Sequence, residues 1–208
     1  MKYLSFLTLT SILLFLPTLT NAQLIQLGAG GGLTQILAPE HYTNSVEEGG
    51  LGFSTEWNVG VIAKLGLTLF PLTPRAYFLY HSLTGSGELD PAFYLDPSIE
   101  VTQSISEIGI GAQYNFIPLP AGFDPYIALD IACNIFSSVK EGENYEVPNT
   151  QETRFGGGIG LGTEITIIPM IDLDVYASYK MFNLIGKEDS EQTISALTLD
   201  VFILFSFL

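Results

Sequence analysis

Between Ile194 and Leu208 the chain places Leu197, Leu199, Val201, Ile203, Phe205 and Phe207 at every second position, with Thr198, Asp200 and Ser206 among the residues between them. A period of two is the period of a β-strand, whose successive side chains point to opposite faces. One face of this segment is wholly aliphatic and aromatic, so it needs a closed sheet or lipid against it. That requirement narrows the fold more than any short motif in the chain does.

The same alternation, bounded by turn residues, recurs along the sequence. It predicts eight strands: Leu24 to Ile36, Thr55 to Phe70, Arg75 to Thr84, Ser104 to Ile117, Pro125 to Val139, Thr153 to Ile168, Ile171 to Ile185 and Ile194 to Phe207. Each reaches the ~9–11 residues that cross a bilayer at a tilt, and an even number suits a single-chain barrel. Connections alternate in kind. Pro71 to Pro74, Pro118 to Asp124 and Pro169-Met170 are short and proline-rich, and proline, which cannot donate to a ladder, belongs where strands end. Pro39 to Gly50, Gly85 to Gln103, Glu141 to Glu152 and Gly186 to Glu191 are polar and mostly longer. A weak repeat supports this register: Gly111 to Pro118 and Gly162 to Pro169 each run from a Gly through an alternating stretch to an Ile-Pro stop.

Residues 1–22 are set apart as a secretory signal peptide, with Lys2, the apolar run Leu4 to Leu19 and the small residues of Thr20-Asn21-Ala22 before a cut at Gln23. Residues 23–208 then form one domain. Cys133 is the only cysteine, so no internal disulfide stabilises an exported chain. Beyond the leader there is no apolar run of the ~18 residues that a membrane helix needs, yet mean hydropathy is +0.36 and 47% of residues are hydrophobic. Apolar content dispersed in alternation is what a β-barrel in lipid requires. Taking Lys2 from a net charge of −15 leaves −16, too acidic for nucleic acid to be a partner.

The two faces of each strand differ enough to orient them. In the second strand Trp57, Val59, Val61, Ala63, Leu65, Leu67 and Leu69 oppose Glu56, Asn58, Gly60, Ile62, Lys64, Gly66 and Thr68; in the sixth, Phe155, Ile159, Leu161, Ile165 and Ile167 oppose Arg154, Gly156, Gly158, Gly160, Gly162 and Glu164. A Lys or Arg facing lipid at mid-depth costs ~2–4 kcal/mol, so the charged face points into the lumen. The expected lumen charge network is Glu56, Lys64, Glu107, Asp130, Arg154, Glu164, Asp172, Asp174, Lys180 and Asp200, joined by Gln113, Asn115, Asn134 and Tyr176. Salt-bridged clusters are expected around Lys64, Arg154 and Lys180, because a narrow lumen penalises an unpaired ion. Surplus acids are left to be hydrated, hydrogen-bonded or protonated. Glycines on the same face make room for large side chains in a narrow barrel; the runs at Gly28 to Gly32 and Gly156 to Gly160 lack the helix and the Lys-Ser/Thr of a phosphate loop. Trp57, Phe136, Phe155 and Phe182 near the loop ends, with Phe70, Tyr77, Phe116, Tyr126, Phe205 and Phe207 near the turn ends, read as two interfacial aromatic girdles.

Strand number, loop asymmetry, leader and the terminal Phe205-Ser206-Phe207-Leu208 together resemble the small eight-stranded outer-membrane barrels typified by the OmpA transmembrane domain and OmpX. The resemblance extends in particular to the PorT-like outer-membrane barrels of Bacteroidota. It implies an all-β, antiparallel up-and-down transmembrane β-barrel in the cell outer membrane with both termini periplasmic. It also implies outer-membrane lipid and lipopolysaccharide as surroundings, and the barrel-assembly machinery, reading the terminal strand, as a partner in biogenesis. Leu208 stands where an aromatic residue is commonest.

The first functional expectation is a non-enzymatic barrel, without cofactor, of envelope-structural or surface-interaction role. Its outer loops carry Glu40, Glu47, Glu48, Glu88, Asp90, Asp96, Glu100, Glu141, Glu143, Glu146, Glu152, Glu188, Asp189 and Glu191. Such oxygens suit divalent cations, although no EF-hand spacing is present. The alternatives are a lipid-modifying outer-membrane enzyme and a soluble lipocalin-like secreted binding barrel. For the former, His81-Ser82 is the tempting pair, but adjacent strand residues point to opposite faces and cannot act as base and nucleophile. The latter would keep apolar residues inside. An open pore is not expected, since eight strands leave an interior filled by side chains.

Overall fold

The computed structural model describes residues 24–45, 48–67, 71–88, 98–116, 122–141, 150–189 and 191–207. The expected leader, Phe70, Pro118 to Ala121 and the loop acids Glu47, Asp90, Asp96, Glu143 and Glu146 lie outside the described residues.

Eight strands follow one another: β1 (Leu24–Ala38), β2 (Thr55–Gly66), β3 (Leu72–Glu88), β4 (Ser98–Asn115), β5 (Phe123–Glu141), β6 (Thr150–Ile168), β7 (Ile171–Ile185) and β8 (Ser195–Phe207). Each pairs antiparallel with the next, and β8 closes on β1 from Ile25↔Phe207 to Gln35↔Leu197, so the fold is a closed up-and-down barrel. Closure removes the sheet edges that would otherwise expose unpaired N–H and C=O groups. A short helix α1 (Glu40–Thr43) follows β1.

Alternation in the sequence becomes inside and outside in the barrel. Along β8, Thr198, Asp200, Phe202, Leu204 and Ser206 are buried, whereas Leu197, Leu199, Val201, Ile203, Phe205 and Phe207 are exposed. On β5, Ile131 is 65% exposed while its neighbour Asp130 is buried. The polarity of a soluble core is thus inverted over most of the wall: the exterior is aliphatic and the interior holds ions.

Strand lengths are unequal. β3, β4, β5 and β6 have 17, 18, 19 and 19 residues, against 15, 12, 15 and 13 for β1, β2, β7 and β8. These four extend into stretches expected to be loop, because the alternate positions that are aliphatic lower down change there to Ser, Thr and Glu and the contrast that marks a strand disappears. At the other end, β2 stops at Gly66 and β3 already begins at Leu72, inside the expected Pro71 to Pro74 turn. Pro74 pairs with Ala112 of β4, while the ladder to β2 reaches only Lys64↔Arg75, so the proline sits just past the end of one ladder. Pro169-Met170 turns β6 into β7 with Met170 at φ 70°, a type II pattern with Pro in the second position.

At the loop end the lumen is closed by an apolar plug of Ile36, Phe53, Leu83, Ile105, Phe136, Phe182, Ile194 and Ala196, against which Tyr42 and Leu51 pack. Phe53 comes from the β1–β2 loop, which folds back over the mouth through Leu51 N–H to His41 O (2.8 Å) and Phe53 N–H to Tyr42 O (2.8 Å). A second apolar group, Ile62, Tyr77, Leu79, Phe202 and Leu204, lines one side of the middle. Between them and the ions lies a cavity of about 10 Å³, bounded by Arg75, Tyr77, Tyr176, Lys180 and Asp200 among others. A space that size holds about one water at most, so this part of the lumen is packed.

Four residues expected in the girdles are corrected. Tyr77, Tyr126, Phe136 and Phe182 are buried inside the barrel. Each shares strand parity with an inward polar residue: Arg75, Asp130, Asn134 and Lys180 respectively. Trp57, Phe116, Phe155, Phe205 and Phe207 are exposed on the outer wall.

Candidate functional site

Nearest the short proline-bearing turns, Lys64 of β2 is fully enclosed. Its Nζ donates to Glu164 Oε1 of β6 at 2.7 Å, and Asp174 Oδ2 of β7 lies 2.8 Å away as an ion pair outside hydrogen-bond angles. The remaining oxygens of this group are also engaged. Gln113 Nε2 donates to Glu164 (2.8 Å), Tyr126 Oη to Asp174 (2.7 Å), and Gln26 Nε2 to both Glu164 (3.3 Å) and Asp172 (3.2 Å). Asp172, half-buried and without a cation, also accepts from Thr166 and Ser206. Removing one partner of such a buried pair typically costs about 3–5 kcal/mol, because the other charge is stranded.

One level higher, Arg75 of β3 forks onto Asp130 of β5, Nε donating to Oδ1 at 2.8 Å and Nη2 to Oδ2. Tyr176 Oη also donates to Asp130 (3.0 Å), and the guanidinium lies 4.1 Å from the Tyr176 ring centroid. The other enclosed cations follow suit, Lys64 at 4.9 Å from the Tyr126 ring and Lys180 at 5.0 Å from the Tyr77 ring. Cation–π attraction of this kind adds to the ion pairs in a site shielded from water.

Below the plug, one carboxylate gathers three donors. Glu107 of β4 accepts from Tyr77 Oη (2.7 Å) and Lys180 Nζ (2.6 Å), and faces His81 Nε2 at 3.0 Å. His81 Nδ1 meets Thr34 Oγ1 at 2.8 Å, and Asn58 Nδ2 donates to Thr34 (3.0 Å) and to Asp200 Oδ1 (2.8 Å). Thr198 Oγ1 closes the chain onto Asp200 Oδ2 at 3.0 Å. Asp200 is therefore held by neutral donors, and Asn134 turns aside to donate to the Phe182 carbonyl (2.6 Å).

Arg154 lies outside this interior. At the mouth it donates to Glu152 (2.9 Å) and Glu191 (3.1 Å), while Asn183 fastens Glu191 from the other side (2.6 Å). Burial pushes the Glu191 carboxyl up, but the hydrogen bonds from Asn183, Glu188 N–H and Arg154 outweigh it and hold the carboxyl below the ordinary range. Glu56 is corrected as a network member: it has lumen parity at the top of β2 but is half-exposed, and no ion pair reaches it among the described residues. Asn115 sits at the turn end, accepting from Gln113 (3.2 Å).

The glycines supply the space. Tyr77 lies opposite Gly109 and Tyr126 opposite Gly162 in register, and a Cβ on either glycine would run into the facing phenol. Large rings can cross a narrow barrel only over such gaps.

Three important lumen residues are missing from the expected network. Pro74 marks its segment as a turn and so hides Arg75. His81 draws attention only as a partner for Ser82, which does point the other way and is half-exposed outside. Tyr77, near a strand end, reads as a girdle residue. In each case the parity of a charged neighbour on the strand carries the signal. Thr34, His81 and Glu107 follow the order hydroxyl, imidazole, carboxylate, but Thr34 and His81 have no exposed surface and the plug covers them. Such a set, buried on every side, ties β1, β3 and β4 together. Among the described residues no group of three or more His, Cys, Asp or Glu could hold a metal.

No protein-family model and no curated protein matches the chain. Solved structures do. The chain is similar to Neisserial surface protein A (17% identity, 89% of this chain and 97% of that one, TM-score 0.57). It is also similar to Ail, the attachment invasion locus protein of Yersinia pestis (8%, 90% and 100%, TM-score 0.53), and to a major outer membrane protein of Thermus thermophilus (11%, 90% and 100%, TM-score 0.59). The chain shares with them the closed, eight-stranded antiparallel barrel fold.

Proposed function

We propose that this chain is an outer-membrane β-barrel of a bacterial envelope, with its turns and termini toward the periplasm, its acidic loops outward, and a structural or surface-interaction role without catalysis. The observation that carries the reading is the inversion of polarity. Ile108, Ile110, Leu129, Ile131, Leu161 and Leu199 are exposed around the wall, while Lys64, Arg75, Glu107, Asp130, Asp174 and Lys180 are buried within. Water would not tolerate so wide an apolar band on a monomer, and lipid would not tolerate those ions. The arrangement is the reverse of a lipocalin-like binding barrel.

The packed lumen favours a role at the surface over conduction. One of the similar structures, Ail, was solved in complex with a heparin analogue, sucrose octasulfate. Glu40, Glu48, Glu188, Asp189 and Glu191 at the mouth of this chain would repel such a polyanion, so its outer ligands are read as neutral or cationic. Expression in a Gram-negative host tests the proposal. The chain should sediment with outer membranes, need detergent for extraction, and migrate differently on gels before and after boiling. Recovery as a soluble monomer in buffer would refute it.

A further inference from the structure

Two hydrogen-bonded groups face each other in the middle of the lumen. One is Arg75 with Asp130 and Tyr176, from β3, β5 and β7. The other runs from Lys180, Tyr77 and Glu107 through His81, Thr34 and Asn58 to Asp200, and so brings in β1, β2, β4 and β8. No direct side-chain hydrogen bond joins the two groups among the described residues. The cavity of about 10 Å³ lies at their junction, and Arg75, Lys180 and Asp200 all border it.

The guanidinium presents a donor there. Its fork onto Asp130 uses Nε and Nη2, which leaves Nη1 pointing away from that carboxylate, and Asp130 is not among the residues around the cavity. Arg75 is only 5% exposed, and Nη1 has no acceptor among the described residues. A buried guanidinium N–H is costly to leave unsatisfied, because the group cannot shed its charge. Lys180 Nζ has three N–H bonds and gives one to Glu107 at 2.6 Å, so donors remain on that side too. Asp200 supplies the acceptor: Asn58 and Thr198 occupy one site on each oxygen, and a carboxylate offers about four. Charge and size then select the occupant. Arg75 and Lys180 repel a cation, Asp200 repels an anion, and the space is that of about one water. Three partners, two donating and one accepting, are the usual complement of a buried water.

We propose that one water is bound at this junction as a structural element, accepting from Arg75 Nη1 and Lys180 Nζ and donating to Asp200. It turns two networks into one, so that hydrogen bonds run unbroken from Asp130 on β5 to Thr34 on β1. With the plug above it and the Lys64 cluster beneath, it exchanges only when the lumen opens. The inference concerns the interior alone and does not depend on what surrounds the wall.

Arg75 and Arg154 are the two arginines of the chain, so labelling arginine with nitrogen-15 isolates the group in question, and Arg154→Lys assigns its signals. The full chain is refolded into detergent micelles, and magnetisation transfer from water to the guanidinium protons is recorded. At Arg75 Nη1 the transfer should reverse sign between the laboratory and rotating frames, the mark of dipolar contact with a long-lived water; proton exchange with solvent gives no such reversal. Asp200→Leu removes the acceptor and should abolish the contact while boiling-dependent migration persists. No sign-reversed contact at Arg75 in the parent chain overturns the proposal, and so does its persistence in Asp200→Leu. Should that variant misfold, a crystal of the parent chain decides. One density peak within hydrogen-bond distance of Arg75, Lys180 and Asp200 supports the site. No peak there, Nη1 bonded to a protein oxygen, or a bromide ion in its place after growth in bromide contradicts it.

Discussion

The turn-side half of the lumen is filled by Lys64, Glu164, Asp174, Arg75, Asp130 and the phenols of Tyr126 and Tyr176, whereas the loop-side half passes from Glu107, His81 and Lys180 into the wholly apolar plug around Phe53, Leu83 and Phe182. Both halves are narrow and both are filled by side chains, yet their cohesion differs. Below, side chains from β2, β3, β4, β5, β6 and β7 are tied by directional charge-assisted bonds that fix strand against strand. Above, a loop residue must be recruited, because Phe53 comes from outside the barrel. The contrast teaches that a small barrel can solve one packing problem twice, by polar cross-links where the wall is short of loop residues and by ordinary apolar fill where a loop can fold in.

The comparison breaks most sharply at Lys64. Lys64→Ala should strand Glu164 and Asp174 and lower stability by about 3–5 kcal/mol, read as the urea midpoint of the barrel refolded in lipid vesicles. Phe53→Ala should cost somewhat less, about 3 kcal/mol, because part of the vacated space can be taken by Tyr42 and Leu51. It should also expose the β1–β2 loop to protease, which Lys64→Ala should not. Tyr77→Phe removes one hydrogen bond to Glu107 and keeps the ring over Gly109. About 1.5–3 kcal/mol is expected from the same urea measurement, and a loss as large as that at Lys64 would show that the phenol, not the ion, organises the site.

The smallest effect belongs to the mouth. Glu191→Gln should change global stability by less than about 1 kcal/mol, since Glu152 is exposed and Glu191 half-exposed at the solvent-facing mouth. Its acid dependence has a definite sign. The folded carboxyl is held below its unfolded range, so its contribution is present above the ordinary carboxylate range and is lost as pH falls through the depressed value. Protease cleavage of the 186–194 loop should therefore rise on acidification through that window in the parent chain and be flat in Glu191→Gln.

Much of this is legible from residues alone. Most of β7 and the outward face of β8 alternate plainly, and the inward direction of Lys64 and Lys180 follows from the cost of a cation in lipid. The upper parts of β3 to β6 are not legible, because Ser and Thr on one face and mixed residues on the other look like loop. Arg75 is hidden by Pro74, whose lost N–H matters only where the β2–β3 ladder runs, and that ladder ends at Lys64↔Arg75. Aromatics near strand ends suit girdle and lumen equally well, so Phe136 and Phe182 can be assigned only by parity with Asn134 and Lys180. Which acid meets which cation is beyond the sequence: the shear of the barrel brings Glu164 of β6 to Lys64 of β2, and no spacing along the chain encodes that.

Cys133 gives the most direct test of the account. It is the single cysteine, half-exposed on the outer wall between Ile131 and Ile135. A nitroxide attached there in vesicles should collide readily with dissolved oxygen and scarcely with a water-soluble nickel chelate, while a label at Ser178→Cys in a Cys133→Ser chain should be reached by neither. Free access of the chelate to Cys133, or of oxygen from the lipid to position 178, would mean that the wall and the lumen have been exchanged.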